Sequence, residues 1–169
     1  MNIRRGQSSD IPAIASLLVR SWRELYSDFL PAEFLQAMTP EHQIRRHTRI
    51  MSSGAVYFVA DSDAGLAGFA SYGPPRFASI TAETELYTLY VEPGRLRQGL
   101  GSRLLTSVLE DTRTQYRNIG VLVMKKNPFR GFYEKNGFQA IAEATMDLGG
   151  FTEINTVYQR NTLPTAAVP

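Results

Sequence analysis

The stretch from Glu85 to Leu105 reads ELYTLYVEPGRLRQGLGSRLL and indicates the fold better than any other part of the chain. The residues from Glu83 to Val91 are mostly β-branched, aromatic or leucine, which predicts a long, buried strand. Pro93 and Gly94 end this strand, and the leucines that follow recur at the spacing of one helix face. The stretch therefore predicts a strand, a glycine-bearing loop and a helix, in that order.

The loop in this unit, from Leu96 to Ser102, has the composition of an anion-binding site. Gly99 and Gly101 allow the backbone to approach a ligand closely, and the first N–H groups of a helix attract negative charge. Three arginines lie in the same region: Arg95, Arg97 and Arg103. No acidic residue occurs between Gly94 and Leu109, so the loop suits a polyphosphate. A tight turn with a basic, solvated face is the alternative for so short a motif.

The remaining elements, read outward from this unit, predict an α/β fold. Helices are expected after Ser9-Asp10 and after Thr39-Pro40, because capping residues and a proline precede apolar periodicity at both places. Ile44, Ile50 and Met51 are the expected core contacts of the second of these helices. The other predicted elements are strands at 2–5, 56–60, 66–72, 119–124, 138–142 and 154–159, and a short helix after Asn127-Pro128. This order predicts a mixed sheet covered by helices on both faces.

Length and composition limit the classes of protein to consider. The 169 residues, 43% of them hydrophobic, predict a single domain over residues 1–162 and a loose tail at 163–169. The 18 basic and 16 acidic residues nearly balance, so we expect neither a nucleic-acid nor a membrane partner. There is no cysteine, and His42 and His47 are not spaced to share a helix face, so no metal site is expected. The first residues lack the apolar run of a signal peptide, which predicts a cytoplasmic location.

Two motifs in the chain resemble those of the GNAT superfamily of N-acetyltransferases. The stretch from Glu85 to Leu105 resembles the acetyl-CoA-binding motif of that family. The stretch NPFRGFYEKNGF at 127–138 resembles its second motif, an asparagine followed by a helix that carries Phe-Tyr-Glu-Lys and ends in Gly-Phe. The likeness covers about residues 2–160 at the level of element order. It implies a GNAT-like fold, with a mixed, mostly antiparallel sheet that is splayed open at the cofactor site.

The resemblance also implies which residues bind acetyl-CoA as co-substrate. The pantetheine arm would lie beside the end of the strand, where the N–H of Leu89 would stabilise the oxyanion of the reacting thioester. The N–H groups of the loop would bind the pyrophosphate. The chain departs from the family at Leu96, where Gln or Arg is usual, which removes one side-chain contact. The implied cofactor-binding residues are Leu89, Tyr90, Val91, Arg97, Gln98, Gly99, Leu100, Gly101, Ser102 and Asn127.

An acid–base pair is implied by the same resemblance. Glu85 lies at the spacing from Gly99 at which some family members carry a general base, and an ordinary carboxylate at a strand start is the alternative. Glu83, two residues earlier, is the rival for that role. Tyr133 matches a tyrosine that often protonates the departing thiolate, and packing beside Phe132 is its alternative.

The predicted function is transfer of an acetyl group from acetyl-CoA to a primary amine of a small molecule or peptide. The amine would attack the bound thioester directly in a ternary complex. A non-catalytic acyl-CoA-binding module is the alternative, in which the phosphate loop survives without its acid–base residues. The expected partners are acetyl-CoA and an unidentified amine, and a homodimer is left open.

Overall fold

The structure is a computed structural model in which residues 1–162 are described, so the predicted tail at 163–169 lies outside the described residues. The strands are β1 (Asn2–Arg5), β2 (Val56–Ser62), β3 (Gly65–Gly73), β4 (Thr84–Val91), β5 (Asn118–Met124), β6 (Gln139–Asp147) and β7 (Thr152–Asn161). The helices are α1 (Ile11–Leu25), α2 (Ala32–Ala37), α3 (Pro40–Ser52), α4 (Leu100–Thr112) and α5 (Arg130–Lys135). All predicted helices and strands are present, whereas the short helix α2 was not predicted.

The seven strands form one sheet in the order β1-β2-β3-β4-β5-β7-β6. Strands β4 and β5 are parallel, with Thr84 opposite Ile119 and Glu85 opposite Gly120. The pairs β1–β2, β2–β3, β5–β7 and β6–β7 are antiparallel. The α/β class and the mixed, mostly antiparallel sheet are therefore confirmed. None of the helices within residues 1–162 combines the length and apolar character needed to cross a membrane.

The residues group into two compact units. The first unit is Met1–Tyr72 with Thr88–Val108, and the second is Gly73–Tyr87 with Leu109–Pro169. Strand β4 and helix α4 each contribute residues to both units. That residues 1–162 form a single domain remains a prediction.

In the first unit, α1 packs against α3, and the two buried residues of α3, Gln43 and His47, are both polar. The apolar pattern predicted Ile44, Ile50 and Met51 as core contacts of this helix, but these residues are only half-buried. His47 is buried instead, and its Nδ1 lies 2.8 Å from the hydroxyl oxygen of Tyr57. Because this hydrogen bond satisfies a ring nitrogen, the helix can turn a histidine toward the core.

In the second unit, the residues of β5 and β7 alternate between two faces of the sheet. One face carries Gly120, Leu122 and Val157, and the segment between β3 and β4 packs on it through Ile80 and Ala82. A Cβ atom added at Gly120 would lie 3.0 Å from the side chain of Ile80 and 3.2 Å from that of Ala82. Glycine at this position therefore allows the segment to lie close to the strand. We call this surface the loop face.

The opposite surface, which we call the helix face, carries Val121 and Tyr158, which are paired in register. Helix α5 packs there, because the ring of Tyr133 stacks on that of Tyr158 with centroids 6.1 Å apart. The helix ends as predicted, with Gly137 in the left-handed region at a φ of 82°. The N–H of Phe138 donates to the carbonyl of Tyr133 at 3.0 Å, which completes a Schellman C-cap.

Candidate active site

The predicted phosphate loop contains two residues in the left-handed region of backbone space. Arg97 has a φ of 61° and Gly99 has a φ of 80°. Arg97 is the only residue other than glycine with a positive φ within residues 1–162. That conformation costs a side-chain-bearing residue about 1–2 kcal/mol. Backbone strain of this kind is concentrated at functional sites, so the loop is a candidate ligand site on its conformation alone.

Helix α4 starts directly after this turn. Its first N–H groups, on Leu100, Gly101 and Ser102, have no carbonyl one turn earlier in the helix, and the bond from the N–H of Arg103 to the carbonyl of Gly99 is 3.1 Å long. A left-handed turn followed by a helix N-terminus is a backbone arrangement that can bind anions. Leu100 is 2% exposed and anchors the turn in the core of the first unit.

The end of β4, where the family resemblance implies that the pantetheine arm lies, is held firmly in the first unit. The hydroxyl of Tyr90 lies 2.7 Å from the indole Nε1 of Trp22 on α1, and its ring stacks on Phe69. Glu92 forms an ion pair with Arg20 at 2.6 Å. Helix α1 therefore fixes the strand that leads into the phosphate loop.

The predicted general base, Glu85, is fully buried in the second unit. Its carboxylate accepts a hydrogen bond from the backbone N–H of Arg76 at 2.7 Å and two more from the guanidinium of Arg76 at 2.6 and 3.2 Å. One carboxylate oxygen therefore accepts from the charged guanidinium, and the other accepts from the backbone N–H. The pair ties the segment after β3 to β4.

The same segment is also held by Tyr87. The guanidinium carbon of Arg76 lies 4.0 Å from the centroid of the Tyr87 ring, and the tyrosine hydroxyl donates to the carbonyl of Pro74 at 2.6 Å. Burial raises the pKa of Tyr87 above its ordinary value, while Arg76 lowers it and Glu85 adds to the rise. A Cβ atom at Gly73 would lie 2.5 Å from the Tyr87 hydroxyl, so only glycine fits there without a shift.

The rival base, Glu83, is also paired with an arginine. Its carboxylate accepts hydrogen bonds from the backbone N–H and the Nε of Arg117 at 2.7 and 2.6 Å. These hydrogen bonds hold the pKa of Glu83 below its ordinary value, and the bond from the backbone N–H has the largest effect. A lowered pKa makes a carboxylate a weaker base, which counts against Glu83 in that role.

The structure places Glu85 and Tyr133 on opposite faces of the second unit's sheet. Glu85 is opposite Gly120, which belongs to the loop face. Tyr133 stacks on Tyr158 of the helix face, and its ring also meets the rings of its neighbours Phe132 and Phe138 edge-on. The two predicted acid–base residues therefore lie on different faces of the sheet.

Asn127 caps the start of the α5 region. Its Oδ1 accepts a hydrogen bond from the N–H of Phe129 at 2.8 Å, and its own N–H donates to the carbonyl of Met124 at 2.9 Å. The residue therefore shapes the turn between β5 and α5, and contact with a cofactor stays a prediction.

Two residues of this region were not singled out from the sequence. Arg76 is not part of a recognised motif. Its partner, Glu85, is nine positions away on another element, so no sequence pattern indicated the pair. Glu153 is 3% exposed on β7. The alternation of the predicted strand at 154–159, extended back by one residue, would have placed Glu153 on the same face as Asn155 and Val157.

Comparison with known sequences identifies the family. A family model described as an acetyltransferase (GNAT) domain matches residues 53–140, slightly more than half of the chain. The N-acetyltransferase YuaI of Bacillus subtilis (strain 168) is 28% identical over 151 residues, which cover 89% of this chain and 87% of that protein. That relative is described as an uncharacterized N-acetyltransferase.

Solved structures share the fold at low sequence identity. The PaiA N-acetyltransferase from Thermoplasma acidophilum in complex with coenzyme A has a TM-score of 0.72 and 21% identity, covering 95% of this chain and 98% of its own. The YncA structure from Salmonella typhimurium, with its cofactor acetyl-CoA, has a TM-score of 0.69 and 18% identity, covering 98% and 96%. Because the family model spans more than half of its length, the chain belongs to the GNAT family of acetyltransferases.

Proposed function

We propose that the protein transfers an acetyl group from acetyl-CoA to a primary amine of a small molecule or peptide. The observation that carries this proposal is the loop with Arg97 and Gly99 in left-handed conformations directly before helix α4. Family membership supports it, as do the coenzyme A and acetyl-CoA complexes of structures that share the fold. A loop of this geometry fits a pyrophosphate, because it presents backbone N–H groups and nearby arginines to one region.

In the proposed complex, the N–H groups from Arg97 to Ser102 hold the pyrophosphate. The β4 residues Leu89, Tyr90 and Val91 lie along the pantetheine arm, with Asn127 as a further contact. When bound, acetyl-CoA supplies a thioester whose carbonyl carbon accepts the amine. The N–H of Leu89 then stabilises the negative charge on the carbonyl oxygen, an effect of about 3 kcal/mol for comparable donors.

Proton transfer is assigned to Glu85 and Tyr133. Glu85 takes a proton from the attacking amine, and Tyr133 gives one to the sulfur as the C–S bond breaks. The products are an N-acetyl amine and the free thiol of coenzyme A, so atoms and charges balance.

A thiol-release screen tests the proposal. The protein is incubated with acetyl-CoA and a panel of amines, amino acids, aminoglycosides and short peptides, and the free thiol is measured. We expect thiol release with at least one primary amine and none with its N,N-dimethyl counterpart, which has no N–H to lose. A rise in melting temperature with acetyl-CoA but no thiol release from any amine would instead identify a non-catalytic acyl-CoA-binding module.

A further inference from the structure

The two edge strands of the sheet within residues 1–162, β1 and β6, differ in how they are protected from another chain. An edge strand presents unpaired backbone N–H and C=O groups, and proteins shield such edges with short strands, lysines, prolines or other charges. Strand β1 has four residues, two of them arginines, and Arg4 is held by Asp10 and Asp61 at 2.8 and 2.6 Å. Strand β6 has nine residues, seven of them exposed, and contains no lysine, arginine or proline. Strand β6 is therefore the less protected edge.

Both charged residues of β6 have partners within their own copy of the chain. The carboxylate of Glu143 forms an ion pair with Lys125 at 2.6 Å. The carboxylate of Asp147 accepts hydrogen bonds from the N–H groups of the two glycines in the following turn at 2.9 and 2.8 Å. The register irregularity of β6 lies between Ala140 and Ala142, so the rest of the strand pairs regularly with β7. A second strand could therefore pair with this regular part without facing an uncompensated charge in its middle.

Exposed apolar side chains gather at the same edge. Within residues 1–162, the exposed large apolar side chains are those of Met1, Phe77, Ile141 and Ile154. Ile141 belongs to β6, and Ile154 of β7 lies in register with Thr145 of β6. An open groove of about 580 Å³ is lined by Phe77, Ala78, Ser79, Glu143, Ala144, Thr145 and Ile154. Apolar groups collected beside a free strand edge are typical of a protein–protein contact.

We propose that two copies of the protein form a homodimer by pairing antiparallel along β6, about a two-fold axis near the middle of the regular part of the strand. A two-fold axis brings the same edge of each copy together, so the free N–H and C=O groups of one β6 meet those of the other. Charge favours a second copy as the occupant, because each copy brings a Glu143 already paired with Lys125, and the joined edge then carries two cations beside two anions. The proposal does not depend on the transferase function.

Sedimentation equilibrium tests the dimer through its charge sensitivity. We expect the wild-type protein to have a molar mass twice that of one chain. Thr145→Lys places one lysine per copy close to the axis, and the two like charges should weaken dimerisation about 10-fold or more. Thr145 is exposed, so a single copy can hold the lysine in water. Asn2→Lys, the matched control on the opposite edge strand, should leave the molar mass unchanged.

Cross-linking locates the axis independently of stability, because the chain contains no cysteine. Thr145→Cys places one thiol per copy near the axis, and a short bis-maleimide should convert most of the protein into covalent dimers. Gln139→Cys, exposed at the other side of the bulge on the same strand, places the two thiols far apart and should give few covalent dimers. This comparison decides the question even if Thr145→Lys fails to fold. A wild-type molar mass of one chain, or equal cross-linking through the two cysteine variants, would overturn the proposal.

Discussion

The phosphate loop in the first unit and the acid–base candidates in the second differ in what they are made of. The loop consists of backbone, with two left-handed residues and the start of a helix. The acid–base candidates are side chains whose surroundings come from distant positions: Glu83 meets Arg117, 34 positions away in sequence. A site made of backbone can therefore be predicted from a short motif. The chemistry of a side chain depends on partners that are distant in sequence, and a local pattern does not indicate them.

Gly99→Val should give the largest effect, because it tests the backbone site directly. Valine at a φ of 80° is strained although a Cβ atom would meet nothing within 4 Å. The loop should change conformation, and the rise in melting temperature with acetyl-CoA should disappear. Gly94→Ala is the matched control, since Gly94 has open space and no positive φ. Unaltered acetyl-CoA affinity in Gly99→Val would remove the pyrophosphate from this loop.

Glu85→Gln should lower turnover by about 10²-fold or more while leaving acetyl-CoA affinity nearly unchanged, as expected for loss of a general base. The remaining rate should rise with pH, because more of the amine is then neutral. Arg76→Met separates this role from anchoring of the segment after β3, since it breaks the ion pair but keeps the carboxylate. Steady-state rates that fall equally in both variants would assign Glu85 to the anchoring role alone.

Tyr133→Phe should cut kcat by about 10- to 10³-fold with little change in melting temperature, because it removes one hydroxyl and keeps the ring that stacks on Tyr158. The loss should be smaller with an acyl donor whose thiol is less basic, since a better leaving group needs its proton less. The measurement requires conditions in which chemistry limits the rate. An unchanged kcat would show that the Tyr133 hydroxyl has no part in catalysis and that the ring serves only in packing of the second unit.

Glu83→Gln should have the smallest effect, with turnover changed by less than about 3-fold if Glu83 is not the base. Its pKa is lowered in the folded protein by Arg117. The pair therefore stabilises the fold above the ordinary glutamate pKa, about 4.3, and this contribution is lost as the pH falls below that range. Melting curves should show the variant slightly less stable than the wild type at pH 7 and equal to it in acid. A larger loss of turnover than in Glu85→Gln would move the base to Glu83.

The order of helices and strands could be predicted because each element carries its own signal. Prolines and capping residues mark helix starts, such as Thr39 before α3, whose hydroxyl accepts from the N–H of His42. Gly137 marks the end of α5 through its positive φ. The short α2 escaped prediction because its six residues are too few to show a helical period and, unlike α5, it does not end at a glycine.

The side-chain partners of the candidate site could not be predicted. Arg76 follows two prolines in a segment without regular structure, and only the packing of that segment on the loop face brings it to Glu85. Glu153 reads as a polar residue at a strand end, and its burial follows from the pairing of β7 with both β5 and β6. Burial and pairing are properties of the assembled sheet.

The sequence by itself determined the fold family and the loop for the phosphates, because both depend on local backbone preferences: glycine at a positive φ, and a helix that starts after a strand. The tertiary structure decided which arginine neutralises each of the two candidate carboxylates. That decision lies in distances between residues on different elements, and it pairs Glu85 with Arg76 and Glu83 with Arg117. Electrostatic interactions depend on separation and on burial, and the folded chain alone sets both.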